Sequence, residues 1–184
     1  MEAFEGGEGP RKPHKLMAGN IVLGTYNFIE LRLPEEWSVS RGEIPPEIVY
    51  TGEREGVGYV TEGTLYNYLV NLVGNETLSM QVRSSRKSSV SEAELRRMFR
   101  GGISGVLNVS GHIAYYYVGK RRVGLVRRRE VSFARLAFHC SNTGRLIEIV
   151  VEGGAEESRL EEIIGYLSEL RCHGLGGGRV GGRP

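Results

Sequence analysis

The sequence predicts an α+β fold, a mainly antiparallel sheet carrying a middle helix and a C-terminal helix. Three patterns carry that expectation. Short segments such as Phe28-Ile29-Glu30-Leu31-Arg32-Leu33 alternate in hydropathy and end at turn residues. A helix-start signature stands at Ser91-Glu92-Ala93-Glu94, and Leu160, Ile163, Ile164, Leu167 and Leu170 form one helical stripe near the C-terminus. At 184 residues, 40% apolar and 25% charged, the chain has the length and composition of one globular domain.

Residues 1–19 carry Gly6, Gly7, Gly9, Pro10 and Pro13 among alternating charges and no apolar period, and are expected to be a disordered arm. The domain should run from residue 20 to 173, followed by a flexible Gly/Arg tail over 174–184. Within it, Phe28–Leu33 reads as a half-buried strand stopped by Pro34, with a short strand at Trp37-Ser38-Val39. The Gly- and Pro-broken stretch from Pro45 to Gly63 should be irregular or hold short edge strands. Tyr66–Val73 and Leu78–Arg83 flank Gly74-Asn75-Glu76 as a hairpin; a short helix over Thr64–Val73 is the alternative, and the strand is preferred.

Ser91 is a good N-cap, Glu94 can bond back to its N–H, and Val90 with Leu95 forms a hydrophobic staple, so a helix should run to Arg100, before Gly101-Gly102. Strands follow at His112–Val118, Val123–Arg127 and Val131–Cys140, with Gly119-Lys120-Arg121-Arg122 as a hairpin turn. Asn142-Thr143-Gly144 turns the chain into Arg145–Glu152, and Ala155–Arg171 is the longest helix, its first half loaded with Glu156, Glu157, Glu161 and Glu162.

This order of elements, with Leu33-Pro34-Glu35-Glu36-Trp37 closing a strand, resembles the LPxGW-containing start of the PsbP/Mog-like superfamily over roughly Phe28 to Arg171. The chain has Glu36 where that family often has Gly. The resemblance implies an α/β/α sandwich used mostly for binding, and it assigns no functional residues.

Composition narrows the chemistry. All 22 acidic residues are Glu, so no Asp exists for a Walker B contact, an EF-hand, an aspartic-protease dyad or a kinase base. No Walker A or G-x-G-x-x-G string is present, nor an RNP signature, zinc finger or helix-turn-helix. No apolar run approaches the roughly 18 residues of a membrane span, and no signal-peptide pattern opens the chain, which leads to an expectation of a cytoplasmic protein without membrane contact.

Arg outnumbers Lys 20 to 4, and the net charge of +2 is a cancellation. Residues 20–82 carry nine Glu against three Arg, residues 83–129 twelve basic residues against Glu92 and Glu94, and residues 130–173 eight Glu against four Arg. The basic middle is the strongest functional signal. Candidate binding residues are Arg96, Arg97, Arg100, Lys120, Arg121, Arg122, Arg127, Arg128 and Arg129, with Tyr115 and Tyr117 on one strand face. Arginines suit an anionic partner and tyrosines can stack on unpaired bases. The competing readings are a charged edge that blocks aggregation, or ion pairing with the Glu-rich flanks.

His139-Cys140 ends a strand and Cys172-His173 ends the last helix. The eight-residue strand after Cys140 rises about 26 Å and the following helix returns about 25 Å, which brings the two pairs together. A Cys140–Cys172 disulfide is the leading expectation; it would close a loop of about 33 residues, worth roughly 3–4 kcal/mol. Two buried free thiols are the close alternative. A zinc site from His139, Cys140, Cys172 and His173 is disfavoured because neighbouring strand residues point to opposite faces, so no metal is assigned. Cys172 at a helix C-terminus meets the negative end of the dipole, which argues against a nucleophilic thiol.

The reading is therefore a non-enzymatic intracellular binding module, without catalytic residues or cofactor, whose basic segment contacts an acidic protein surface. Single-stranded DNA or RNA binding is the alternative, and an enzyme or a structural subunit are further ones.

Overall fold

In the computed structural model, residues 10–20, 24–39, 57–58, 62–64, 67–74, 78–124, 129–154 and 156–175 are described. Strands β1 (Arg11–Asn20), β2 (Gly24–Pro34), β3 (Ser38–Val39), β4 (Val57–Gly58), β5 (Glu62–Thr64), β6 (Asn67–Val73) and β7 (Leu78–Arg86) precede helix α1 (Glu92–Arg97). Strands β8 (Gly105–Val109), β9 (His112–Val123), β10 (Arg129–Cys140) and β11 (Arg145–Gly153) follow, and helix α2 (Glu157–Leu167) comes last. Among the described residues the large sheet runs β3-β6-β7-β11-β10-β9-β8, with β5 also on β6, and its pairings are antiparallel. A second sheet has the order β2-β1-β4. The chain is thus a mainly antiparallel α+β protein, with two helices among the described residues.

The strand period of two divides the large sheet into two faces. One face presents Ala134, Leu136, Phe138 and Cys140 of β10 with Ile147, Ile149 and Val151 of β11. Leu160, Ile163, Ile164, Leu167 and Leu170 from α2 and its end pack there, together with Leu16, Ile29, Leu31 and Leu33 of the smaller sheet. The predicted helical stripe therefore packs on the apolar face of β10 and β11. Arg171 completes this layer by exchanging both backbone hydrogen bonds with Glu30 on β2, each 2.9 Å.

Among the described residues the opposite face is covered near one end, by α1. Leu95 and Phe99 pack on Tyr115, Ala137 and Leu146. The expected capping box is present: Ser91 Oγ accepts from Glu94 N at 3.2 Å, and Glu94 Oε2 accepts from Ser91 N at 2.8 Å. The turn at Asn142-Thr143-Gly144 is also as expected, with Gly144 at φ +62°.

Several expectations are corrected. The arm was expected to be disordered through residue 19, yet Arg11–Asn20 form β1, paired with Gly24–Pro34 and fixed by the burial of His14 and Leu16; residues 1–9 lie outside the described ones. Strand β7 runs past the expected end at Arg83 to Arg86; Ser84 is fully buried, and its hydroxyl accepts from Arg145 Nη1 at 3.1 Å. Gly119-Lys120-Arg121-Arg122 is no turn. It continues β9 opposite Phe133, Ser132, Val131 and Glu130 of β10, and Gly119 is there because the Tyr117 ring occupies the space a Cβ would fill. The helices are shorter than predicted, and β8 was not foreseen.

Candidate functional site

The basic segment does not form one continuous surface, because β9 distributes it by alternation. Arg121 lies on the α1 face with Tyr115 and Tyr117, whereas Lys120 points to the α2 face and meets Glu157 at 3.9 Å. Beyond Tyr116, β9 has no β8 partner; Ser104 closes the ladder, its N–H donating to Tyr116 O at 2.8 Å and its hydroxyl accepting from Val118 N at 3.0 Å. Lys120, Arg121 and Arg122 therefore sit on a free sheet edge among the described residues, as the aggregation-blocking reading requires.

Ion pairing consumes another part of the charge. Arg96 bonds Glu92 at 2.8 Å and Arg121 bonds Glu152, linking the basic segment to its acidic C-terminal flank. What remains is concentrated at the end of α1. Arg97 and Arg100 are exposed and have no ion-pair partner among the described residues. They border a cleft of about 530 Å³ between α1 and the sheet, also lined by Phe99, Tyr117, Arg121 and Arg135.

The cleft wall is built by Arg135, which the sequence reading did not select. Its guanidinium donates to Met98 O and to Glu148 Oε2, each at 2.6 Å, and lies 5.6 Å from the Phe99 ring centre. Arg135 thereby fastens the end of α1 to β10 and lines the cleft. Tyr117 tilts against Phe133 with ring centres 5.5 Å apart, and Arg121 lies over Phe133 at 5.6 Å.

Tyr115 is not a stacking platform. It is 3% exposed, its hydroxyl donates to Glu92 Oε1 at 2.7 Å, and Arg96 covers its ring at 4.9 Å. The Tyr115 hydroxyl, then Arg96, hold the Glu92 carboxyl below its ordinary pKa, and the same bond raises that of Tyr115. Arg129 is exposed at the start of β10, and Arg122 is exposed near the end of β9. Arg127 and Arg128 lie outside the described residues.

On the other face the two cysteines do meet, as the strand and helix lengths predicted, but as free thiols. Their Sγ atoms are 2.9 Å apart, against about 2.05 Å for a bonded pair. The two sulfurs that the expected disulfide would join are thus adjacent and unbonded. Burial, then the bond to Cys140, pushes the Cys172 thiol far above its ordinary pKa, so it is a poor nucleophile. His139 turns away, as alternation predicted, and its Nε2 donates to Lys87 O at 2.7 Å.

The missed residue is His112. Ring nitrogens of His112 and His173 join the two sulfurs, all four atoms lying within 4.8 Å of one another. The His173 Nδ1 is 3.6 Å from Cys140 Sγ and 3.4 Å from Cys172 Sγ. Burial, then the nearby His173 and His139, lower the His112 pKa and favour its neutral ring. Strand register, and no local sequence pattern, places it there. Continuing the β9–β10 register from Ala114↔Phe138 by two residues puts His112 opposite Cys140.

No family model matches the chain, and no curated protein matches it in sequence. Among the described residues no helix is long and apolar enough to cross a membrane.

Proposed function

We propose that the protein is a non-enzymatic binding module, built on an α/β/α sandwich of the PsbP/Mog-like kind, that takes an acidic protein segment into the cleft between α1 and the β9–β10 ladder. The helices on opposite sheet faces support the sandwich reading. The observation that carries the function is the pair Arg97 and Arg100, exposed without ion-pair partners among the described residues at the mouth of that cleft. Arg121 and Arg135 are paired with Glu152 and Glu148, so the charge left unneutralised at the mouth is that of Arg97 and Arg100, whose mutual repulsion an anion relieves. Carboxylates match guanidinium geometry in pairs of hydrogen bonds.

An acidic peptide is favoured over a nucleic acid because the aromatic groups are already engaged. Tyr115 is buried under Arg96, and Tyr117 leans on Phe133, so neither offers a free face for a base. The test is fluorescence anisotropy of a labelled glutamate-rich peptide and of a labelled single-stranded oligonucleotide. The peptide should bind at low salt and weaken as salt screens the charges. The double variant Arg97→Glu, Arg100→Glu should lose about tenfold in affinity, from roughly 1.4 kcal/mol of lost and reversed surface pairing. Tighter binding of the oligonucleotide, abolished by the same variant, would move the reading to nucleic acid. Peptide binding unchanged in the variant would refute it.

A further inference from the structure

Four potential ligands converge beneath the β8–β9 turn, on the sheet face opposite the proposed binding cleft. We propose that His112, Cys140, Cys172 and His173 bind one divalent zinc-class ion in a closed, structural, tetrahedral site. The donor set decides the metal class: two thiolates and two imidazoles suit zinc in tetrahedral geometry and leave no position for a substrate.

The distances fit. Ordinary zinc bond lengths imply tetrahedral edges of about 3.5 Å between sulfur and nitrogen and about 3.8 Å between sulfurs. The edges from His173 Nδ1 are 3.4 and 3.6 Å, and the pair of sulfurs at 2.9 Å has to open by less than an ångström. Binding breaks two S–H bonds, releases both protons to solvent, and forms two metal–sulfur and two metal–nitrogen bonds with no change of oxidation state. Two thiolates cancel the ion's charge, so a neutral unit is buried.

A disulfide would use the sulfurs but leave the histidines unexplained. His112 Nε2 is buried without a hydrogen-bond partner among the described residues, and His173 Nδ1 faces both sulfurs. The surroundings also hold the ligands in place. Ser110 Oγ donates to Leu170 O at 2.7 Å and accepts from Cys172 N at 3.3 Å, tying the turn before His112 to the segment carrying Cys172 and His173. Phe138 lies nearly parallel to the His112 ring, and Arg171 is locked to Glu30. Both cysteines are buried while both histidines are half-buried, so an ion can enter from the histidine side.

The test uses the full chain, purified without chelator from zinc-supplemented culture. Native mass spectrometry and elemental analysis should find about one zinc per chain. Cobalt exchange should give a thiolate-to-cobalt charge-transfer band and the visible bands of tetrahedral cobalt. His112→Asn should weaken zinc by more than the roughly 10–100-fold that loss of an outer-shell partner costs. His139→Asn, on the opposite face, should retain zinc and the cobalt spectrum. A wild-type chain lighter by a pair of hydrogens and free of metal would show the disulfide instead and overturn the proposal. So would two free thiols with no cobalt band, or zinc held equally well by the His112 variant.

Discussion

Ser110 offers the sharpest test of how the turn and the C-terminal segment are joined. Its hydroxyl donates to Leu170 O at 2.7 Å and accepts from Cys172 N at 3.3 Å. Ser110→Ala leaves both backbone groups half-buried without that partner. At about 1 kcal/mol net for each hydrogen bond, the loss is about 2 kcal/mol. Ser110 also has φ +51°, a left-handed conformation that costs an L-residue roughly 1–2 kcal/mol. Ser110→Gly loses the same bonds but relieves that strain, so it should cost about 1 kcal/mol or less. For a domain of this size each kcal/mol moves Tm by about 2–4 °C, which puts the Ala variant about 4–8 °C below wild type. Thermal and urea unfolding of the reduced, chelator-treated protein would measure both. An Ala variant within about 0.5 kcal/mol of wild type, the range of an unremarkable surface substitution, would refute the bridging role. A Gly variant less stable than the Ala variant would refute the strain argument.

Two further perturbations act on the other face. The Glu92 carboxyl is held below its ordinary pKa, first by the Tyr115 hydroxyl and then by Arg96, so it adds stability above the unfolded carboxylate value of about 4.3, and that stability is lost as pH falls through the depressed folded value. Tyr115→Phe should therefore flatten the acid limb of a stability–pH profile below about pH 4.3 and leave its neutral part sloping as before; an unchanged acid limb would contradict the assignment. Gly119→Ala places a methyl where the Tyr117 ring lies, which should cost about 1–3 kcal/mol in urea unfolding and weaken the cleft wall. A neutral effect there would mean that Tyr117 moves freely.

The parts of the fold legible in the sequence are those with local causes. The capping box at Ser91 and Glu94, the turn at Gly144 and the α2 stripe each depend on residues close in sequence. The parts that were not legible depend on tertiary contact. Gly119 beside three basic residues has the composition of a turn, but pairing with β10 carries the strand through it, and the glycine leaves room for the Tyr117 ring. Arg11–Asn20 lacks a clean apolar period, because only His14 and Leu16 among its described side chains are buried. The Cys–His site was half legible. Element lengths brought Cys140 to Cys172, but His112 belongs to it through strand register, which no local pattern encodes. The basic segment was legible as charge and not as a surface, since alternation along β9 sends Lys120 and Arg121 to opposite faces.

The binding reading is tested most directly by mapping where an acidic ligand lands. Amide chemical shifts of the labelled full chain would be followed as a glutamate-rich peptide is added at low salt. Shifts should concentrate at Arg97–Gly101, Tyr117–Arg121 and Phe133–Arg135, the walls of the cleft, and reverse at high salt. Shifts confined to another surface, or none at peptide concentrations where binding is observed, would contradict it.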